Sequence, residues 1–134
     1  MTVGELIETI IRLRGRQYGE DIMMGWLNEI EGQVIEEIVN RAEGYNVTFK
    51  PLSYDLDAEK ELTIPTRFQD VYIHYMLSKI DYHNQETERY NNDVDMYNSA
   101  YDAYAAWFRR EEPTKAREHH FLGVILEVLW DCHS

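Results

Sequence analysis

Apolar residues recur along this chain at helical spacing in four stretches, and one polar interval interrupts them. In the first stretch Leu6, Ile7, Ile10 and Leu13 follow Thr2, which has Glu5 three positions after it, and Gly15 closes the run. A hydroxyl residue followed by a glutamate at that distance is the capping-box start of a helix, and glycine is a usual stop. The second stripe, Met23, Trp26, Leu27, Ile30, Val34 and Ile38, starts near Glu20 and places Gly44 as a left-handed cap. A third helix is expected to open at Thr66, paired with Gln69 in another capping box behind Pro65. Phe68, Val71, Tyr72, Tyr75, Met76 and Ile80 give its buried face. The fourth runs from near Glu86 to Arg110, and Pro113 should end it. The link "DYHNQE", with Asn84 as its cap, is short enough to force the third and fourth helices antiparallel.

Residues 45–65, "YNVTFKPLSYDLDAEKELTIP", lose the helical period. "NVTF" and "ELTI" are β-prone pieces around a middle rich in proline and aspartate, so the pattern predicts an extended arm or small β-hairpin. Tyr54, Asp55, Asp57, Glu59 and Glu61 would be the reaching residues of such an arm. A surface loop packed on its own domain is the other reading of this interval. The fold class expected is therefore mainly α: an antiparallel bundle of four to five helices with an arm between the second and third.

The fourth helix has an unusual composition. Tyr90, Val94, Tyr97, Tyr101, Tyr104 and Phe108 recur every three or four residues and share one seam. Met96, Ala100, Ala103 and Trp107 form a second seam about a quarter-turn away, while Asn91, Asp95, Asn98, Asp102 and Arg109 take the remaining face. One neighbouring helix needs only one seam, so two seams call for two neighbours. Tyrosine is costly in a closed core because each buried phenol needs a hydrogen-bond partner, and it is favoured at interfaces that tolerate water. Tyr90, Tyr97, Tyr101, Tyr104, Trp107, Phe108 and Met96 are thus expected to meet another subunit, although a tyrosine-rich core with hydroxyls reaching solvent also fits the pattern.

Composition narrows the chemistry. The chain of 134 residues carries a net charge of −12, and the acid excess is spread through every third of it, which argues against binding duplex DNA by sequence. Cys132 is the single cysteine, so no internal disulfide is possible. The start of the chain is too interrupted by Glu5 and Glu8 for a signal peptide, and "FLGVILEVLW" is too short to span a membrane. For metal, Asp70 with His74, His83 near Glu86, Glu118 with His119 and His120, and Asp131–Cys132–His133 are the candidates. None repeats as a paired ligand set and no glycine-rich phosphate loop is present, so neither metal, cofactor nor catalysis is expected.

Taken in order, "TVGELI", "GWLNEIEGQVIEEI", and "ELTIPTRFQDVYIHYMLSKIDYHNQETERYNNDVDMYNSAYDAYAAWFRR" resemble the small head–tail connector (adaptor, or head-completion) proteins of tailed phages and prophages. The resemblance covers residues 2 to about 110. It implies a virion protein of the head–tail junction, made in the bacterial host cytoplasm. It implies a ring of about a dozen copies that bridges portal and tail or stopper proteins. Genome DNA would pass through its centre as non-specific cargo, and an acidic lumen would keep the phosphates from sticking. Residues 1–113 would be the connector domain, with the arm at 45–65. Beyond Arg110 the chain departs from the family, because an apolar tail, residues 114–134, follows. Phe121, Leu122, Ile125, Leu129 and Trp130 would dock on another subunit or on the portal, or else form a fifth helix over their own bundle. An acidic DNA mimic or other non-catalytic phage interaction protein is the alternative reading.

Overall fold

A computed structural model describes the backbone of residues 1–133 and the side-chain surroundings of residues 1–111. The chain is mainly helical. Helix α1 spans Val3–Arg14, α2 spans Glu20–Val34 and continues into a π-helical turn at Ile35–Val39, and α3 is a single turn at Tyr54–Asp57. A 3-10 turn at Thr66–Phe68 leads into α4, Asp70–His83, and α5 covers Thr87–His133. α5 thus runs on past Pro113, where the sequence pattern placed its end. The interval following that proline, "TKAREHH", is rich in helix formers, which favours resumption of the helix after the hydrogen bond lost there. Phe121, Leu122, Ile125, Leu129 and Trp130 lie outside the described side chains.

The expected caps hold at α1. Thr2 accepts from the Glu5 amide at 3.1 Å, Glu5 reaches back to the Thr2 amide, and Gly15 takes the left-handed φ of 79° that stops the helix. They fail at the third helix. Gln69 makes no side-chain cap, and the Thr66 hydroxyl instead accepts from the N-terminal amine of Met1 at 2.7 Å. At the α4–α5 link Asn84 ends the helix in a right-handed conformation, and the following Gln85, not Asn84, turns the chain with φ 60°.

Every residue of the predicted α2 stripe is buried, as are Val71, Tyr72, Met76 and Ile80 of α4, and Leu6, Ile7 and Ile10 of α1. Each fully buried aliphatic side chain contributes about 1.5–3 kcal/mol. Leu13 stays about half exposed at 49%, and Phe68 and Tyr75, expected on the buried face of the third helix, are only half-buried. α4 and α5 lie side by side along much of α4, and α1 and α2 pack on α4.

Residues 45–65 neither pair as a hairpin nor project as an arm. Among the described residues there is no strand, only one isolated antiparallel bridge, Thr2 with Glu61. Its neighbours Val3 and Gly4 donate to the carbonyls of Lys60 and Ala58 at 3.0 and 2.7 Å, and Leu62 donates to Met1 at 3.0 Å. Further along, Asn28 clasps both polar groups of Leu52 and Asn40 clasps both of Val47. Short β-prone pieces need a partner edge, and here the side-chain amides of Asn28 in α2 and Asn40 just after the π-helical turn supply bonds that a second strand would have made.

Glu31 finishes the fastening. Its carboxylate, buried at 4% exposure, accepts from the Thr63 amide and hydroxyl, both at 3.0 Å, and from the Tyr72 hydroxyl at 2.6 Å. The Tyr72 oxygen in turn accepts from the Ile64 amide at 2.9 Å. Burial and the facing Glu31 carboxylate hold the Tyr72 phenol far above its ordinary range, so it remains a donor. Replacing Tyr72 by Phe removes the acceptor for a buried amide as well as the bond to a charged carboxylate. The expected loss is about 2 kcal/mol, read as a lower urea midpoint with unchanged m-value.

Candidate functional site

The aromatic seam of α5 is the obvious candidate surface, and the structure divides it. Its C-terminal part is internal. Tyr104 and Phe108 are buried at 1% and 5% exposure, with Phe68 5.5 Å from Tyr104 and Tyr45 5.5 Å from Phe108. Trp107, from the second seam, is half-buried 5.3 Å from Phe68, and the Arg67 guanidinium lies 5.5 Å from its ring. These three residues, expected at a subunit interface, instead pack within their own chain, because the π-helical end of α2 and the turn before α4 both close on this end of α5.

The middle of the seam is half-buried and its polar tips are matched. Tyr101 donates to Glu37 at 2.6 Å, Gln33 donates to the Tyr97 oxygen at 3.4 Å, and Tyr75 of α4 donates to Glu29 at 2.8 Å. The rings of Tyr75 and Tyr97 lie 5.4 Å apart, and those of Tyr97 and Tyr101 5.7 Å. Burial first, then the facing carboxylates, raise the Tyr75 and Tyr101 phenols above their usual range, and burial pushes Tyr97 up to about 12. This is how tyrosine can stand where leucine is usual: α2 offers an acid or amide to each phenol.

The N-terminal part stays open. Tyr90 and Val94 are half-buried, Met96 is 45% exposed, and Tyr82 on α4 is 62% exposed with its ring 5.5 Å from Tyr90. Tyr82, Tyr90 and Val94 line a groove of about 570 Å³ between α4 and α5 together with Lys79 and His83, while Met96, on the second seam, is not part of its wall. A chain of rings leads away from it: Tyr82 to His83 at 5.5 Å, His83 stacked on Trp26 at 5.6 Å, and Trp26 to Tyr18 at 5.3 Å. Such a surface can hold apolar or cationic side chains by ring faces and polar rims.

The predicted arm residues are placed elsewhere. Tyr54 is half-buried and Asp55 exposed on α3, Asp57 accepts from the Ser53 amide at 2.8 Å, Glu59 is exposed, and Glu61 pairs with the N-terminal amine at 3.0 Å. The structure therefore does not gather them with the aromatic seam. Of the metal candidates, His74 turns away from Asp70 to Asp93, and His83 serves the ring stack. Among the described residues no group of three or more His, Cys, Asp or Glu is arranged to hold a metal. Glu118, His119, His120, Asp131, Cys132 and His133 lie outside the described side chains.

One polar cluster was missed by the sequence reading. Arg14, at the end of α1, donates through Nε and Nη2 to the two oxygens of Asp81 at 3.2 Å each, and Nη2 lies 3.5 Å from Asp93. His74 Nδ1 is 3.3 Å from the other Asp93 oxygen. Asp81 and Asp93 are buried at 1% and 3% exposure. The available signal was positional: Asp93 lies three residues after Tyr90 and four before Tyr97, on the apolar side of its helix. Burial works against ionisation of Asp81, but the hydrogen bonds from Arg14 and the one shared with Asp93 outweigh it and hold its carboxyl below the ordinary range. Asp93 goes the other way. Burial first, then the shared bond to Asp81, push it up to about 6, against His74 and Arg14.

Compared with known proteins, no family model, no curated protein and no solved structure matches the chain. Among the described residues no helix is long and apolar enough to cross a membrane.

A carboxyl raised on folding stabilises the fold while it is protonated. For Asp93 that contribution is fully present below 3.8 and is lost as pH rises through about 6. The Asp93→Asn variant, neutral throughout, is expected to melt higher than the parent at about pH 7.5 and to lose that advantage towards about pH 4. Thermal melts of both proteins across this window check it.

Proposed function

We propose that this chain is a structural assembly subunit, and that its assembly is the head–tail connector ring its sequence resembles. In this reading a small helical bundle, with residues 45–65 strapped to it, presents aromatic surface to neighbouring copies and to portal and stopper proteins. The observation that carries it is the open end of the α4–α5 seam. Tyr82 is exposed beside half-buried Tyr90 and Tyr97, around a groove of about 570 Å³. Aromatic side chains are enriched in protein–protein interfaces, and contiguous exposed patches of them mark interaction surfaces.

The charge supports the same reading. A net charge of −12 gives a subunit whose ring would repel sliding phosphates and let DNA through without holding it. The buried carboxylates Asp81 and Asp93 are occupied with each other, Arg14 and His74, which suits a fastening between helices better than acid–base chemistry on a substrate.

Negative-stain imaging of the full chain tests the proposal, alone and mixed with the portal protein encoded in the same genome. Closed rings, or portals decorated at one end, are expected. A protein that forms neither at any concentration, and leaves portal particles bare, overturns it.

A further inference from the structure

Two carboxyls are buried where the end of α4 meets the start of α5, and one guanidinium serves both. Asp81 and Asp93 are 1% and 3% exposed. Arg14 grips the two oxygens of Asp81 at 3.2 Å each and reaches Asp93 only at its edge, at 3.5 Å. The other Asp93 oxygen faces His74 Nδ1 at 3.3 Å. The carboxyls also share a hydrogen bond, and an acid can donate such a bond only while it carries a proton. The charged and titratable groups around the pair are therefore Arg14 from α1, His74 from α4, and exposed Arg89 from α5, whose field reaches Asp81.

Charge counting sets what this cluster can hold. With both carboxyls ionised and the imidazole neutral, it has one negative charge more than Arg14 balances. Burial makes such an excess costly. One proton on Asp93 removes the excess and supplies the bond to Asp81. Burial and Asp81 favour that protonated form, while His74 and Arg14 favour the ionised one, so the balance tips at about 6. When the proton leaves, Arg14 stays with Asp81 through its two bonds. The repulsion then falls between the two carboxylates, and so between α4 and α5.

The joint between these helices is short and has one unusual residue. Gln85 turns the chain with φ 60°, a left-handed conformation uncommon outside glycine, and strain of this kind recurs in switch segments. Across the corner the Glu86 amide donates to the Asp81 carbonyl at 2.9 Å. Beside it lies a recess of about 560 Å³ lined by Asp81, Tyr82, Gln85, Glu86 and Tyr90, which gives water a way in and the corner room to move. We propose that Asp81 and Asp93 form a proton-operated latch. Protonated Asp93 ties the start of α5 to the end of α4, and loss of that proton parts the two carboxylates and opens the corner at Gln85. Opening separates the Tyr82 and Tyr90 rings, which lie 5.5 Å apart across it. The latch does not rest on the assembly reading, and it holds or fails whether or not copies associate.

Hydrogen exchange of the full chain tests it, read at the Glu86 amide. The closed corner is stabilised fully below 3.8, the ordinary value regained on opening, and loses that stabilisation as pH rises through about 6. Glu86 protection, corrected for intrinsic rates, should therefore fall about tenfold between about pH 5 and about pH 7.5 and then level off. Asp93→Asn keeps a neutral donor facing Asp81 and should hold Glu86 protection constant across the same window. Low urea separates a local opening from unfolding: Glu86 exchange should ignore it, whereas exchange at Ile30, inside α2, should accelerate. Protection at Glu86 that does not change with pH, that falls equally in Asp93→Asn, or that follows urea as Ile30 does overturns the latch. If the variant fails to fold, the parent decides by the carboxyl-carbon resonance of Asp93 in carbon-13-labelled protein. Glu86 protection must fall while that carboxyl titrates, and a fall confined to any other pH range overturns the latch.

Discussion

The Glu31 carboxylate is the point on which the arrangement of this protein turns. It is buried, and it accepts three hydrogen bonds, two from Thr63 and one from Tyr72. A buried charge is costly unless its lone pairs are filled, so the partners are not optional. Meeting that requirement brings α2, α4 and the end of the 45–65 segment to one place. The segment is then stretched back over α1 and α2 between this anchor and the Asn28 and Asn40 clasps.

A second buried fastening works by charge. Arg14 bridges α1 to α4 and α5 through Asp81 and Asp93, and the forked geometry of its guanidinium suits two carboxylate oxygens at once. Burial raises both carboxyls, but Arg14 and the bond shared with Asp93 hold Asp81 low, while burial and that same bond push Asp93 up. The cluster ties helices far apart in sequence, and its effect on stability depends on which carboxyl carries a proton. The first fastening holds the strap; the second ties the end of the first helix to the α4–α5 pair.

Between these, the aromatic seam of α5 changes role along its length. Near Tyr104 and Phe108 it is core, in the middle it is a half-buried boundary with matched phenols, and near Tyr90 it opens to a groove. The transition follows the reach of the neighbours. The π-helical end of α2 covers only the later part of the seam, whereas Tyr90 and Tyr82 sit at the α4–α5 turn. The same helix is thus anchored at one end and open at the other.

The helices themselves were legible in the sequence. The stripes of α1, α2 and α4 pick out the centre of each buried face but miss its flanks, such as Val3, Met24, Ile73 and Leu77, and the Thr2–Glu5 box marks where the first begins, because periodicity and capping are local properties. The aromatic seam was legible too, but not its partner. Periodicity reports which residues share a face and says nothing of what covers it, so Tyr104 and Phe108 could not be told from Tyr90. Asp81, Asp93 and Glu31 read as ordinary polar positions, since a buried carboxylate is recognised only by the arginine, hydroxyl or amide that long-range packing delivers. Residues 45–65 were decided in the same way. Their β-prone pieces fixed an extended path, and Asn28 and Glu31 of α2, with Asn40 after the π-helical turn, determined that this path would be a strap instead of a free arm.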